Sequence, residues 1–134
     1  MSLDIEQRER EGITLLDLKG RMTIGAETTA FRDAFERIGE RAKPQLILNM
    51  QGVDYIDSTG LGALVMCSTR FRNVQGVVKL VHVNRRNIEL MVMTRIDTIF
   101  EVFEDETDAI NSFFPGREIK RFDILNFVQQ LREE

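Results

Sequence analysis

Cysteine, tryptophan, histidine and proline are scarce in this 134-residue chain, which contains one Cys, no Trp, one His and two Pro. The single cysteine, Cys67, excludes an intramolecular disulfide, and its position within a helical pattern predicts a reduced core thiol. His82 lies within an apolar strand pattern, so we predict a core or strand-end role for it instead of a metal site or a catalytic relay. These scarcities favour a cytoplasmic protein that uses no metal or other cofactor.

Long apolar segments are also missing. The sequence has no early charged-then-apolar signal segment, and no apolar run approaches the roughly 20 residues that span a bilayer, so we expect neither secretion nor membrane insertion. Eighteen basic residues against 22 acidic ones give a formal charge of -4, which argues against direct nucleic-acid binding. The apolar fraction of 43% is sufficient for one compact domain with its own core.

The spacing of apolar residues predicts an α/β fold. Two alternating segments flank Glu11-Gly12 and should pair as an antiparallel hairpin, followed by a loop that runs from Arg21 to Gly25. Helical and strand patterns then alternate, which favours parallel strands with right-handed crossovers and a mixed sheet. The predicted order after the loop is a helix around residues 30–38, a strand at 45–50, a helix at 59–72, a strand at 77–83, a helix at 84–94, a strand at 99–103 and a helix near residue 110.

The most informative stretch is Asp57-Ser58-Thr59-Gly60-Leu61-Gly62, which lies between a predicted buried strand and a predicted helix. Asp57 or Ser58 can cap the helix, because a short side-chain oxygen accepts a hydrogen bond from a free N–H group of the first turn. A helix N-terminus also favours negative charge, so the fold would tolerate a phosphate on Ser58. A plain capped helix start is the alternative interpretation.

This motif resembles the signature of the STAS domain, which is named for sulfate transporters and anti-sigma factor antagonists. The flanking landmarks that strengthen the resemblance are Leu18-Lys19-Gly20, an apolar strand that ends in Asn49, Val81-His82-Val83 and Asn87. Together they cover roughly residues 3 to 114. The resemblance implies a STAS-like mixed sheet with helices packed on it. We therefore divide the chain into a STAS domain at 1–114 and a C-terminal helical extension at 115–134.

In the family, the hydroxyl after the aspartate is a regulatory phosphosite, which here is Ser58. The implied function is a non-enzymatic switch. The protein would bind an anti-sigma factor serine kinase and release its sigma factor, phosphorylation would turn it off, and an opposing phosphatase would restore it. The residues expected to form the switch loop and the partner-binding surface are Asp57, Thr59, Gly60, Gly62, Met66 and Arg21. Many antagonists have an acidic residue where this chain has Arg21, a departure that bears on which partner binds.

Two other functions compete with the switch. The first is an accessory or scaffold module in a transporter assembly or a signalling complex, in which Ser58 would be structural. The second is an esterase-like enzyme that uses Ser58 as a nucleophile. The second is disfavoured because Ile56 and Gly60 flank Ser58 where a hydrolase elbow has two glycines. The sequence also lacks a phosphate-binding loop that ends in Gly-Lys-Ser/Thr.

Two apolar features leave alternatives open. The predicted second helix should cover the sheet with Leu61, Leu64, Val65 and Phe71, whereas Ala63, Met66 and Arg70 should face away. Met66 is then either a surface methionine or a flexible apolar contact for a partner.

At the C-terminus, an apolar stripe behind a possible Asp123 cap consists of Ile124, Phe127, Val128 and Leu131. This last helix packs on its own domain, or it pairs with a second copy in a homodimer or with another partner.

Overall fold

The computed structural model describes residues 3–133, and its elements follow the predicted order. The elements are β1 (Leu3–Arg10), β2 (Ile13–Met22), α1 (Ala26–Gly39), β3 (Gln45–Ile56), α2 (Ser58–Arg72), β4 (Val77–Val81), α3 (Arg85–Met93), a 3₁₀ turn (Ile96–Thr98), β5 (Val102–Phe103), α4 (Glu106–Asn111) and α5 (Ile124–Glu133). In the described part of the chain the strands form one sheet in the order β1-β2-β3-β4-β5. The first pair is antiparallel and the other pairs are parallel, which confirms the predicted mixed α/β sheet.

The hairpin between β1 and β2 has a local cause in its turn. Glu11 and Gly12 both adopt positive φ, at 51° and 82°, and Arg10 pairs directly with Ile13 on either side of them. A two-residue turn with positive φ at both central positions matches the right-handed twist of the flanking strands. The turn therefore sets the register of the hairpin and directs β2 into the centre of the sheet.

Both faces of the sheet are covered. The larger core packs strand residues such as Leu16 and Leu48 against Phe31 and Phe35 of α1, and against helices α2, α3 and α5. The smaller core joins the opposite face to α4 and to the segment that follows it. Cys67 is fully buried in the larger core, and its desolvation raises the pKa of the thiol well above the ordinary value. The prediction of a core thiol is confirmed.

Strands β2 and β3 extend further than predicted. β2 continues to Met22 and β3 continues to Ile56, and their last paired residues are Arg21 with Tyr55 and Met22 with Ile56. The predicted loop at 21–25 is therefore wrong for its first two residues, and the strand predicted at 45–50 also includes residues 51–56. Backbone pairing continues here through polar residues and irregular register, where apolar alternation gives no signal. The longer strands bring Arg21 beside the residues that precede α2.

Other predicted details also need correction. Most of the predicted last strand is irregular, because only Val102–Phe103 pairs with β4 and the preceding Ile96–Thr98 forms a 3₁₀ turn. Ala63 was predicted to face away from the sheet but is only 2% exposed. Helix α2 contacts α1 as well as the sheet, so its buried stripe is wider than sheet packing alone requires. His82 follows β4 with a left-handed φ of 58°, which confirms its strand-end role.

Helix α5 packs on its own domain. Val128 is buried, and Phe122, Ile124 and Phe127 contact the larger core. Asp123 caps the helix by accepting a 3.0 Å hydrogen bond from the Asn126 N–H group. No helix within residues 3–133 is both long and apolar enough to cross a membrane.

Candidate functional site

A single carboxylate organises the start of α2. Asp57 is the N-cap residue, and its Oδ1 accepts a 2.9 Å hydrogen bond from the Gly60 N–H group. Its Oδ2 accepts a 3.0 Å hydrogen bond from the N–H group of Ile24 in the loop between β2 and α1. The Asp57 N–H group in turn donates to the Met22 carbonyl oxygen at 3.1 Å. Asp57 therefore holds two neighbouring loops together, and of the two predicted cap candidates it is the cap.

The same contacts fix the charge of this carboxylate. The N–H group of Gly60, followed by those of Ile24 and Thr59 and by the positive charge of Arg21, lowers the pKa of Asp57 below its ordinary value of 3.8. Hydrogen bonds to the charged form of an acid favour that form. Asp57 is therefore a fixed negative charge directly beside Ser58 at neutral pH.

Gly60 is necessary for the packing of α2. It is buried, and a Cβ atom at this position would lie 2.2 Å from the Met22 carbonyl oxygen and 2.9 Å from Cγ2 of Ile56. Contacts this short do not occur in folded proteins, so any side chain would push α2 away from the ends of β2 and β3. Gly60 belongs to the predicted switch loop, but the structure places it beneath the surface.

Ser58, Gly62 and Met66 form an exposed stripe on α2. They follow at intervals of four residues, so they lie above one another on a single helix face, and Thr59 is exposed beside the first of them. A Cβ atom on Gly62 would meet nothing within 4 Å, and Met66 is 45% exposed. The predicted surface residues Ser58, Thr59, Gly62 and Met66 are thus brought together on one accessible surface.

Sequence reasoning missed Ile24, which extends this surface. Ile24 is 75% exposed, and its backbone N–H group is held by Asp57. A large apolar side chain that is presented to solvent by an anchored backbone is a feature of interaction sites. The signal in the sequence was a lone isoleucine between Thr23 and Gly25 in an otherwise polar loop.

Arg21 lies beside the motif in a group that also contains Tyr55 and Arg86, here termed the arginine–tyrosine cluster. Arg21 and Tyr55 are paired residues of β2 and β3, and the Arg21 guanidinium lies 5.0 Å from the Tyr55 ring centroid. The guanidinium of Arg86, from the first turn of α3, lies 4.8 Å from the same centroid. Tyr55 and Arg86 were not predicted, because they come together only through the pairing of β3 and the placement of α3.

Two asparagines hold the start of α3 against β3. The side-chain amides of Asn84 and Asn87 both donate to the Val53 carbonyl oxygen, at 3.0 and 3.1 Å. Asn84 also caps α3 by accepting a 2.8 Å hydrogen bond from the Asn87 N–H group. These hydrogen bonds give a structural role to Asn87, one of the residues on which the STAS resemblance rests. They also fix the helix turn that carries Arg86.

The chemistry offered by the motif is that of an accessible hydroxyl. In the part of the chain that the structure describes, no histidine, lysine or carboxylate side chain hydrogen-bonds to the Ser58 hydroxyl, and no group of three or more His, Cys, Asp or Glu could hold a metal ion. A serine nucleophile normally has a base within hydrogen-bond distance. The motif therefore presents an exposed hydroxyl at the first residue of α2.

Comparison with known proteins agrees with this fold and motif. The STAS domain family model matches residues 4–109. An anti-sigma F factor antagonist of Paenibacillus polymyxa is 22% identical to this chain over 110 residues, which cover 82% of this chain and 94% of that protein. The match therefore includes the motif and most of the sheet, whereas α5 lies beyond the residues that the family model matches.

Solved structures share the same fold. An anti-sigma factor antagonist (STAS) domain protein from Planctomyces limnophilus has a TM-score of 0.71 at 20% identity, covering 81% of this chain and 95% of that one. The Bacillus cell fate determinant SpoIIAA in its phosphorylated form has a TM-score of 0.62 at 16% identity, covering 83% and 98%. The murine Slc26a9 anion transporter has a TM-score of 0.67 at 21% identity, covering 77% of this chain and 18% of that one. Because the family model spans most of its length, the chain belongs to the STAS domain family.

Proposed function

We propose that this chain is a phosphorylation-switched anti-sigma factor antagonist. It binds an anti-sigma factor serine kinase in the cytoplasm, releases the bound sigma factor, and catalyses no reaction itself. The carrying observation is an exposed Ser58 hydroxyl at the first residue of α2, on a loop that Asp57 holds in place. The anti-sigma F factor antagonist from Paenibacillus and the phosphorylated SpoIIAA structure support this proposal.

The free domain tolerates a phosphate on Ser58. The 15-residue helix α2 begins at this residue, and an anion near a helix N-terminus is stabilised by about 0.3 to 1 kcal/mol. The side chain of Ser58 is exposed, so the phosphate does not need to displace any core residue. Phosphorylation should therefore leave the fold intact.

The complex does not tolerate the same phosphate. A phosphoserine carries a charge of about -1.5 to -2, and a partner that covers Ser58 must desolvate that charge beside the ionised Asp57. A tenfold loss of affinity requires only about 1.4 kcal/mol. The kinase therefore switches its own antagonist off by transferring a phosphoryl group to Ser58 Oγ, and an opposing phosphatase restores binding.

The residues around Ser58 have distinct roles in this proposal. Asp57 positions the loop and Gly60 allows α2 to approach the sheet, so both act through the fold. Thr59, Gly62 and Met66 contact the partner directly, and the bare backbone at Gly62 allows close approach. Arg21 contributes charge at the edge of the same surface.

Phosphorylation is tested with purified components. The chain is incubated with ATP and each anti-sigma factor serine kinase of the same organism, and the modified residue is identified by mass spectrometry. We expect phosphate on Ser58, no phosphorylation of Ser58→Ala, and normal phosphorylation of the matched control Thr59→Ala. Phosphate found only on Thr59 or Ser68 would place the switch elsewhere.

We also propose that residues 115–134 are an extension of a STAS domain formed by residues 1–114. A chain that ends at Gly116 should still unfold cooperatively. Loss of the α5 contacts exposes apolar surface, which lowers the unfolding free energy by about 25 cal/mol for each Å² exposed. Loss of a cooperative transition would show that α5 completes the domain.

The extension can also be tested as a homodimer contact. Leu125 is 67% exposed on α5, whereas Val128 is buried against the core. If two copies pair through α5, Leu125→Glu should halve the mass measured by light scattering at unchanged stability. Val128→Glu should destabilise the fold in either case, because it buries an unpaired charge. An unchanged mass for Leu125→Glu would leave α5 as a helix of its own domain.

A second candidate function is supported by the likeness to the murine anion transporter. The chain would then be an accessory or scaffold subunit of a transporter or of a multi-protein signalling complex, and Ser58 would serve only the helix start. This candidate predicts that none of the kinases of the organism modifies Ser58. It also predicts that Ser58→Asp leaves assembly of the complex unchanged.

A further inference from the structure

The arginine–tyrosine cluster lies next to the motif and places two guanidinium groups on one aromatic ring. Several other arginine side chains pair with carboxylates, as Arg8 does with Asp17 at 2.7 Å and Arg121 with Glu101 at 2.8 Å. Within residues 3–133, no salt bridge involves Arg21 or Arg86. In the described part of the chain, neither guanidinium group of the cluster has a carboxylate within salt-bridge distance.

The ring holds these cations in place without consuming their hydrogen-bond donors. A guanidinium near an aromatic ring is attracted by the π system, which contributes about 0.5 to 1 kcal/mol at an exposed site. Its N–H groups remain available in a planar fork that matches a carboxylate. Because the ring already restricts these long side chains, less conformational entropy is lost when a ligand binds them. The cluster is thus organised for an acidic ligand.

Its surroundings favour a protein as the source of that acid. The chain is acidic overall, with a formal charge of -4, and Asp57 lies close enough for Arg21 to lower its pKa. A polyanion such as a nucleic acid would be repelled by this overall negative charge. The exposed side chains of Ile24 and Met66 flank the motif and offer apolar contacts that a folded partner can cover.

We propose that Arg21, Tyr55 and Arg86 form the contact site for an acidic segment of the partner protein, which binds there while its neighbouring surface covers Ser58, Ile24 and Met66. The proposal rests on the proposed function, because the partner is the anti-sigma factor serine kinase. It adds the chemistry of the contact: carboxylate side chains on the kinase meet the two guanidinium groups of the antagonist.

Charge reversal with a matched control tests this contact. Arg21→Glu/Arg86→Glu is compared with Arg32→Glu/Arg95→Glu, which makes the same change in net charge at exposed positions elsewhere. Binding of each purified variant to the kinase that modifies Ser58 is measured by calorimetry, after circular dichroism has confirmed folding. We expect the first variant to bind at least about tenfold more weakly and the control to remain within about twofold of wild type.

Two further variants make the test independent of a failure to fold. Arg21→Gln/Arg86→Gln removes both charges without introducing acids and should weaken binding at least about fivefold. Tyr55→Leu removes the ring that holds both guanidinium groups and should weaken binding at least about threefold. Raising the salt concentration should weaken wild-type binding more steeply than it weakens binding of the Gln variant.

The outcomes separate this inference from the proposed function. Wild-type affinity in both the Glu and the Gln variants would overturn the inference and leave the proposed function standing. Equal weakening in the cluster variant and its control would also overturn it, because net charge alone would then explain the effect. If the wild-type chain bound none of the kinases, the proposed function and this inference would fail together.

Discussion

The start of helix α2 has a buried face and an exposed face, and residues of similar type have different roles on the two faces. Gly60 and Gly62 are two positions apart, yet a Cβ atom on the first would lie 2.2 Å from a backbone oxygen and a Cβ atom on the second would meet nothing within 4 Å. Asp57 and Ser58 are adjacent polar residues, yet both carboxylate oxygens accept hydrogen bonds while the hydroxyl is exposed. The motif therefore combines residues that build the loop with residues that the loop presents.

Mutations within this one short motif should therefore have different effects on stability and on binding. Changes on the buried face should act on stability and only indirectly on binding. Changes on the exposed stripe should act on binding and leave stability almost unchanged.

The largest effect is expected for Gly60→Ala. The added methyl group collides with the Met22 carbonyl oxygen, and overpacking against backbone costs about 3 kcal/mol. Gly62→Ala is the matched control, and it should be neutral or stabilising by up to about 1 kcal/mol because alanine is the better helix former. Urea unfolding of both variants measures the difference. Equal stability would mean that α2 can shift away from β2 and β3 at little cost.

An intermediate effect is expected for Asp57→Ala. Loss of an N-cap costs about 1 kcal/mol, and the Ile24 N–H group loses its acceptor at the same time. The variant should therefore bind the kinase more weakly than its small loss of stability suggests. Hydrogen exchange at the Ile24 amide should become faster. Unchanged exchange would show that the loop is held without Asp57.

The Asp57 contribution also predicts a pH dependence. The pKa of this carboxyl is lower in the folded state than its ordinary value of 3.8, so the unfolded chain binds its proton more tightly. The stabilisation is fully present above 3.8 and disappears as the pH falls through the folded-state pKa. The difference in unfolding free energy between wild type and Asp57→Ala should therefore shrink on acidification. A difference that grows at low pH would contradict this assignment.

The smallest effects on stability are expected on the exposed stripe. Met66→Gln should change the unfolding free energy by less than about 0.5 kcal/mol, because the side chain is 45% exposed and glutamine keeps its length. Binding to the kinase should nevertheless weaken, since an apolar contact is lost. The double outcome is checked by thermal unfolding and by calorimetry on the same preparations. Unchanged affinity would remove Met66 from the interface.

The architecture was accessible from sequence because each element carries a local signal. Apolar alternation marks the hairpin, the Glu11-Gly12 turn fixes its direction, and the alternation of helices and strands leaves parallel pairing as the simple solution. The errors occur where tertiary contacts override local pattern. Strand pairing extends β2 and β3 through polar residues. Ala63 is buried in the larger core although it was predicted to be exposed, and α2 contacts α1 as well as the sheet.

The site was accessible only in part for the same reason. The motif placed Ser58 at a helix start, because cap and glycine chemistry is local. It did not distinguish Gly60 from Gly62, since the collision partner of Gly60 is the backbone of Met22 in another strand. Tyr55 and Arg86 come from different elements that meet only in the fold, and no local pattern joins them.

The most direct test of the account compares the two forms of the same protein. Chain with and without phosphate on Ser58 is prepared, and both the affinity for the kinase and the melting temperature are measured for each form. We expect phosphorylation to weaken binding at least about tenfold, or about 1.4 kcal/mol, while the melting temperature does not fall. Equal affinity of the two forms, or a loss of affinity that is accompanied by a drop in melting temperature, would contradict the account.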